Sequence, residues 1–250
     1  MFRKGFLCFV SILFVSGTAH ATLAPGTTIQ DYLPQISGKV PSAGSAGFNY
    51  TIQNLNGFKN SPGLPYKWQG EMSWDTGSGV IGITKLEFDP DPYVLCNQIF
   101  YNNTANTQTY QATITQPAYL SSLSNQVYGS IVVSLQDSDD PINGSMLSDN
   151  NTPIYKAFID GVLVDTLLDP SYSLMTSPPN NTIGSGLREF GWNPYTGAVN
   201  NNISITVELN LSPGDTATVL SRFDVKVIPE PSMMLLVGFG GLLLRRRHSR

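Results

Sequence analysis

Ile203, Ile205, Val207, Leu209 and Leu211 alternate with Ser204, Thr206, Glu208 and Asn210. A side-chain period of two is that of a β-strand, so this run reads as a strand with one buried and one wet face. Ala217, Val219, Phe223, Val225 and Val227 repeat the pattern, with Thr218, Arg222, Asp224 and Lys226 facing out. Ser212-Pro213-Gly214-Asp215 joins the two runs as a turn, which makes a hairpin. A long helix needs a period of 3.6, and no long segment of this chain shows one.

The same reading extends upstream. Val127, Ile131, Val133 and Leu135 alternate with Ser130, Ser134 and Gln136, and Tyr110, Ala112 and Ile114 with Thr109, Gln111, Thr113 and Thr115. Tyr155, Ala157 and Ile159 precede Asp160-Gly161, a strong hairpin signal before Val162, Val164 and Leu167. Val80 to Phe88 and Phe48 to Asn54 are further strands. Roughly eight to twelve short strands separated by turns predict an all-β fold, a single antiparallel β-sandwich or jelly roll. This domain is expected over 48–228. Residues 22–47, rich in Thr, Pro, Ser and Gly, read as an irregular leader that adds at most an edge strand.

Both ends of the chain differ from this body. Arg3 and Lys4 precede an apolar stretch from Gly5 to Gly17, and Ala19-His20-Ala21 is a small-x-small cleavage site. Residues 1–21 therefore read as a secretory signal peptide cut after Ala21, which implies a Sec translocon and a signal peptidase as partners. At the other end, Pro229-Glu230-Pro231 is followed by the 12-residue apolar run Met233–Leu244 and then by Arg245, Arg246, Arg247, His248, Ser249 and Arg250. A transmembrane helix wants about 20 apolar residues, and Gly238, Gly240 and Gly241 weaken this one further. The arginines belong on the cytoplasmic side. Pro229 has no backbone donor and holds Ile228 extended, so the last strand should stop there.

These three parts in order resemble the PEP-CTERM sorting tail of Gram-negative bacteria. Ile228 stands where that tail usually has valine. The resemblance covers only residues 229–250 and their immediate approach. It implies an exported protein, anchored transiently in the inner membrane, processed near Pro229–Pro231 by an exosortase-like transpeptidase and released to the cell surface or beyond. It also implies a link to biofilm and exopolysaccharide production. The plain alternative is a permanent C-terminal anchor.

Six of the fourteen basic residues and one of the eighteen acidic ones lie in these end segments, which leaves a body with eight basic and seventeen acidic side chains, net −9. It has no basic patch, so nucleic acid is not an expected partner. The two histidines, His20 and His248, both lie in the end segments. Catalysis by Ser–His–Asp or Cys–His sets and histidine-ligated metals are thereby excluded from the body. Cys96 is its single cysteine and lies in an apolar-alternating segment, where a small buried hydrophobe is the expected role. No cofactor is expected.

Some clusters invite a functional reading. In Trp68-Gln69-Gly70-Glu71-Met72-Ser73-Trp74-Asp75, the tryptophans and Met72 share one strand face and the carboxylates the other. Two core tryptophans are expected, with a sugar platform as the alternative. Glu71 and Asp75 are about 13 Å apart along a strand, too far for a glycosidase pair. Asp137, Asp139 and Asp140 are weak Ca²⁺ candidates. Pro141 interrupts the loop and no glutamate closes it, so a solvated acidic turn is expected there, as at Asp89-Pro90-Asp91-Pro92. The sequence thus predicts an exported structural or adhesive protein without catalytic residues, with extracellular polysaccharide as a partner. Two alternatives stand beside it. One is a carbohydrate-binding or carboxylate-dependent glycosidase sandwich using Glu71, Glu87, Glu189 or Glu208. The other is an ice-binding face built on Thr107, Thr109, Thr113 and Thr115.

Overall fold

The computed structural model describes residues 28–41, 47–52, 65–137, 145–147, 152–176 and 181–228. Apart from a 3-10 turn at Ile29–Tyr32, the elements are all strands. They are β1 (Gln35–Lys39), β2 (Phe48–Thr51), β3 (Tyr66–Asp75), β4 (Val80–Asp89), β5 (Tyr93–Tyr101), β6 (Gln108–Pro117), β7 (Ser124–Gln136) and β8 (Ser145–Leu147). There follow β9 (Tyr155–Ile159), β10 (Val162–Leu167), β11 (Ser173–Met175), β12 (Thr182–Gly184), β13 (Arg188–Thr196), β14 (Asn202–Leu211) and β15 (Thr216–Val227).

They form two antiparallel sheets. In the first, the order is β10-β9-β14-β6-β1-β2, with β8 beside β14 and β11 beside β8. In the second it is β12-β7-β15-β5-β4-β3, with β13 also on β7. The predicted all-β sandwich is therefore present. The hairpin β14–β15 does not stay within one sheet, because its strands fall in different sheets and its turn bridges the sandwich. Among the described residues no helix is long and apolar enough to cross a membrane.

The leader was underestimated. β1 sits inside its sheet between β6 and β2, not at the edge. Ile36 and Val40 are fully buried, and their inward side chains explain why this short segment is held there. The C-terminal strand ends at Val227, as a proline at position 229 requires, and the Ile228 N–H donates to the Ser124 carbonyl at 3.0 Å.

The inner faces carry the predicted apolar positions, including Ile114, Ile131, Val133, Ile205, Val207, Leu209, Val219 and Phe223. Trp68 is buried there, and Trp74 stacks on Phe48 with ring centroids 4.2 Å apart. Two tyrosines of the first sheet reach across the core to backbone carbonyls of the second. The Tyr155 hydroxyl donates to the Arg222 carbonyl at 2.7 Å, and that of Tyr110 to the Tyr101 carbonyl at 3.0 Å. Asp160-Gly161 makes the expected tight turn, with φ of 51° and 78°. The Asp160 carboxylate accepts backbone N–H bonds from Asn200, Asn201 and Asn202 at 2.8–3.0 Å, which fastens this hairpin to the start of β14.

Four strands are interrupted by β-bulges: β3 between Gln69 and Met72, β4 between Ile83 and Lys85, β10 between Leu163 and Asp165, and β13 between Phe190 and Asn193.

Candidate functional site

The bulge in β13 builds the most chemically equipped surface among the described residues. Phe190 points into the core opposite Gly129. Strict alternation would then send Trp192 inward too. Instead Gly191 and Trp192 together oppose Tyr128 alone, and the extra residue turns the indole to the outer face. There it lies 5.4 Å from the Tyr128 ring, with the Lys226 ammonium 3.5 Å from its centroid. Trp192 stays 40 % exposed.

The register continues this surface across the sheet. Tyr93, Asp224 and Tyr128 are directly paired on β5, β15 and β7. The Arg222 guanidinium lies between the two tyrosines, 5.1 Å from the Tyr93 ring and 5.2 Å from that of Tyr128. Such cation–π contacts fix a flexible arginine at little cost in water. Its Nε donates to Asp224 at 2.7 Å, while 41 % of the side chain remains exposed. Tyr128 donates to Glu189 at 2.5 Å, and Tyr93 donates to Glu87 at 3.3 Å. Glu87 also pairs with Lys85 at 3.0 Å and Lys67 at 3.5 Å. The result is a band of aromatic faces and charged groups running from β4 to β13.

The protonation states follow from these neighbours. Burial raises the Glu87 pKa, but the hydrogen bond and charge of Lys85, with the charge of Lys67, outweigh it and leave the carboxyl below its ordinary value. Burial dominates at Asp224 and raises its pKa, against the opposing pull of Arg222. Burial works against the Arg222 charge, yet Asp224 more than compensates and its pKa rises. The Tyr128 phenol is raised first by its bond to Glu189 and then by burial.

The two glutamates of this band are not placed as a glycosidase pair. Glu87, Leu95, Arg222, Ser130 and Glu189 are in register on five successive strands. Four strand spacings separate the two glutamate backbones by about 19 Å, beyond either glycosidase geometry. A carboxyl held below its ordinary pKa, as at Glu87, is also the wrong choice for a general acid.

The other anticipated residues are scattered. Glu71 is exposed on β3. Glu208 was expected to face water as a simple surface residue, and the structure corrects this. Its side chain is only 12 % exposed and pairs with Lys156 at 2.8 Å, with Gln111 donating at 2.8 Å. It stands on a central strand, where long neighbours on β6 and β9 close over it. Thr109 and Thr113 share that outer face, and their hydroxyls bond across strands to Asn210 at 2.6 Å and Thr206 at 2.9 Å. A polar groove on the same sheet, lined by Ser37, Lys39, Asn49, Gln111 and Thr113 among others, lies on the opposite side of the sandwich from the aromatic band.

Asp137 is buried and accepts a bond from Thr176 at 2.5 Å, while Asp139 and Asp140 lie outside the described residues. No group of three potential metal ligands occurs among the described residues. Cys96 is fully buried, and burial pushes its thiol pKa up, as fits a core hydrophobe. Ala19, Ala21, Pro229, Glu230, Pro231, Arg245, Arg246 and Arg247 also lie outside the described residues.

Sequence reasoning placed Arg222, Asp224 and Lys226 on a wet face, but Asp224 is buried beneath its neighbours there, and the site they form was missed. Period-two alternation does signal that face. The bulge that delivers Trp192 leaves no such mark, although Gly191 beside Trp192 is a hint of one. Neither a protein-family model nor a curated protein matches this chain.

Proposed function

We propose that the outer face of the second sheet binds extracellular polysaccharide, and that the chain is an exported structural or adhesive protein of the cell surface or matrix. The observation that carries this is the band Tyr93–Arg222–Tyr128–Trp192. Aromatic faces pack against the C–H faces of sugar rings, and a fixed guanidinium with nearby carboxylates supplies directional hydrogen bonds to hydroxyls. The groups are held in place before any ligand arrives, which lowers the entropy cost of binding. The signal peptide and the Pro-Glu-Pro tail supply the route, through the Sec translocon, signal peptidase and an exosortase-like transpeptidase.

Affinity electrophoresis of residues 22–228 in gels containing bacterial exopolysaccharides tests the binding. Retardation should occur and should drop at least tenfold in affinity with Trp192→Ala, while Glu71→Gln leaves it unchanged. Retardation that persists undiminished in Trp192→Ala would overturn the assignment of the site. Hydrolysis of chromogenic glycosides that disappears in Glu189→Gln or Glu71→Gln would favour the enzyme reading instead. The route is tested by intact mass of protein released from its host, which should lack Arg245–Arg250.

A further inference from the structure

Five of the eleven exposed large apolar side chains among the described residues gather at one end of the sandwich, and it is the end from which the chain leaves toward Pro229. Tyr119, Leu123, Val162, Leu163 and Val227 are each at least 43 % exposed. Backbone bonds join them into one surface. Ile228 bonds to Ser124, next to Leu123, and the Gly197 N–H donates to the Leu123 carbonyl. Leu120 pairs with Val199, beside Tyr119. The Asp160 turn, which carries Val162 and Leu163, is tied by its carboxylate to Asn200–Asn202 in the same connection. Scattered apolar residues on a surface are ordinary, but several gathered on adjoining loop tips mark a contact.

The sequence says what stands opposite. Only Pro229, Glu230, Pro231 and Ser232 separate Ile228 from the apolar run Met233–Leu244. Fully extended, that link spans about 17 Å. The run itself, as a helix, is about 18 Å long, shorter than a bilayer core of about 30 Å. A domain so tethered cannot stand far from the lipid, and this end must face it. We infer that this rim, Tyr119, Leu123, Val162 and Leu163, seats in the interface of a zwitterionic phospholipid bilayer while the tail is embedded. Each leucine moved out of water is worth on the order of a tenfold factor in partitioning. A zwitterionic surface is the fit because the charged groups at this end are of both signs, with Lys226 beside Val227 and the Asp160 carboxylate on the neighbouring turn, so that neither lipid charge is favoured strongly. Docking would hold the sandwich upright on the membrane and fix the approach to Pro229–Pro231 at the depth of a membrane-embedded processing enzyme. This rests on the reading of the tail as an anchor before processing.

The test uses residues 22–250, the chain left by the expected signal-peptide cut after Ala21, reconstituted in phosphatidylcholine vesicles. Cys96 is fully buried and does not label. A fluorophore is placed at Leu123→Cys, Leu163→Cys or, at the far end of the sandwich, Met175→Cys, all on exposed side chains. A quencher carried on the lipid should suppress emission at 123 and 163 at least threefold more than at 175. Equal quenching at all three positions, in protein that floats with the vesicles, would overturn the docking and leave the anchor standing. Protein that does not float with the vesicles at all would refute the anchor, and the docking with it.

Discussion

Gly129 is the point where the core and the aromatic band depend on the same close contact. A Cβ at this position would lie 2.3 Å from Phe190 Cζ, 2.5 Å from its Cε1 and 2.7 Å from the Tyr155 hydroxyl. Favourable carbon contacts begin near 3.5 Å, so the ring must retreat by about an ångström. It has little room, because Phe190 packs edge-on against Phe223 and tilted against Tyr155, with centroids 6.5 and 6.3 Å away. Overpacking of this kind costs about 1–3 kcal/mol. In a domain of this size that lowers the melting temperature by about 2–4 °C per kcal/mol. Gly129→Ala should therefore melt several degrees lower. It should also weaken polysaccharide binding, since Phe190 is the inward peg of the strand that presents Trp192. Phe190→Ala alone should cost about 3–5 kcal/mol. In the double variant the new methyl group occupies vacated space, so the combined cost should fall short of the sum by at least about 1 kcal/mol. Urea titration of the four proteins closes this cycle. Additivity within about 0.5 kcal/mol, or an undiminished melting temperature in Gly129→Ala, would refute the reasoning.

Three further outcomes are expected. Tyr155→Phe removes the bond to the Arg222 carbonyl without changing shape, and should cost about 1–2 kcal/mol in urea titration, with loosened polysaccharide binding. Val207→Asp buries an unpaired charge at a fully buried position and should unfold the domain by circular dichroism, while Glu208→Lys should cost about 1–3 kcal/mol because it sets a second cation beside Lys156. Asp160 has a lowered pKa: burial raises it, but N–H bonds from Asn202, Asn200 and Asn201 prevail. A depressed carboxylate stabilises above its unfolded pKa of about 3.9 and loses that contribution as pH falls through the folded value. The advantage of the native protein over Asp160→Asn in thermal melts should be full at pH 6 and shrink below about pH 4.

Most of the sheet architecture was legible because alternation is a direct readout of burial. β6, β7, β9, β14 and β15 all have the phase that the apolar residues dictate, and Asp160-Gly161 makes the turn that its residues require. What alternation cannot give is partnership. Nothing in Ile203–Leu211 says that β14 lies between β6 and β9 in one sheet while β15 joins the other. Glu208 was misjudged for that reason: an outward side chain on a central strand is hemmed by neighbours from both sides, and only pairing shows it. β1 was expected at most as an edge strand because five residues with a glycine and three polar positions carry too little pattern. The aromatic band was invisible because its members come from Tyr93, Tyr128, Trp192 and Arg222, far apart in the chain, and because one bulge reverses the face of the indole.

Those bulges have a consequence for how copies of this chain can meet. Among the described residues, β3, β10 and β13 each have a free edge, and each is broken by its bulge. β13 also carries Pro194, and the other edge strands, β2, β11 and β12, are only three or four residues long. A long flat edge would offer its unpaired N–H and C=O groups to the next molecule and zip chains into fibrils. Among the described residues every edge is too short or too kinked to serve as such a template. On the proposed role outside the cell, copies of this chain would meet through their faces rather than their edges, in contacts that dilution can reverse.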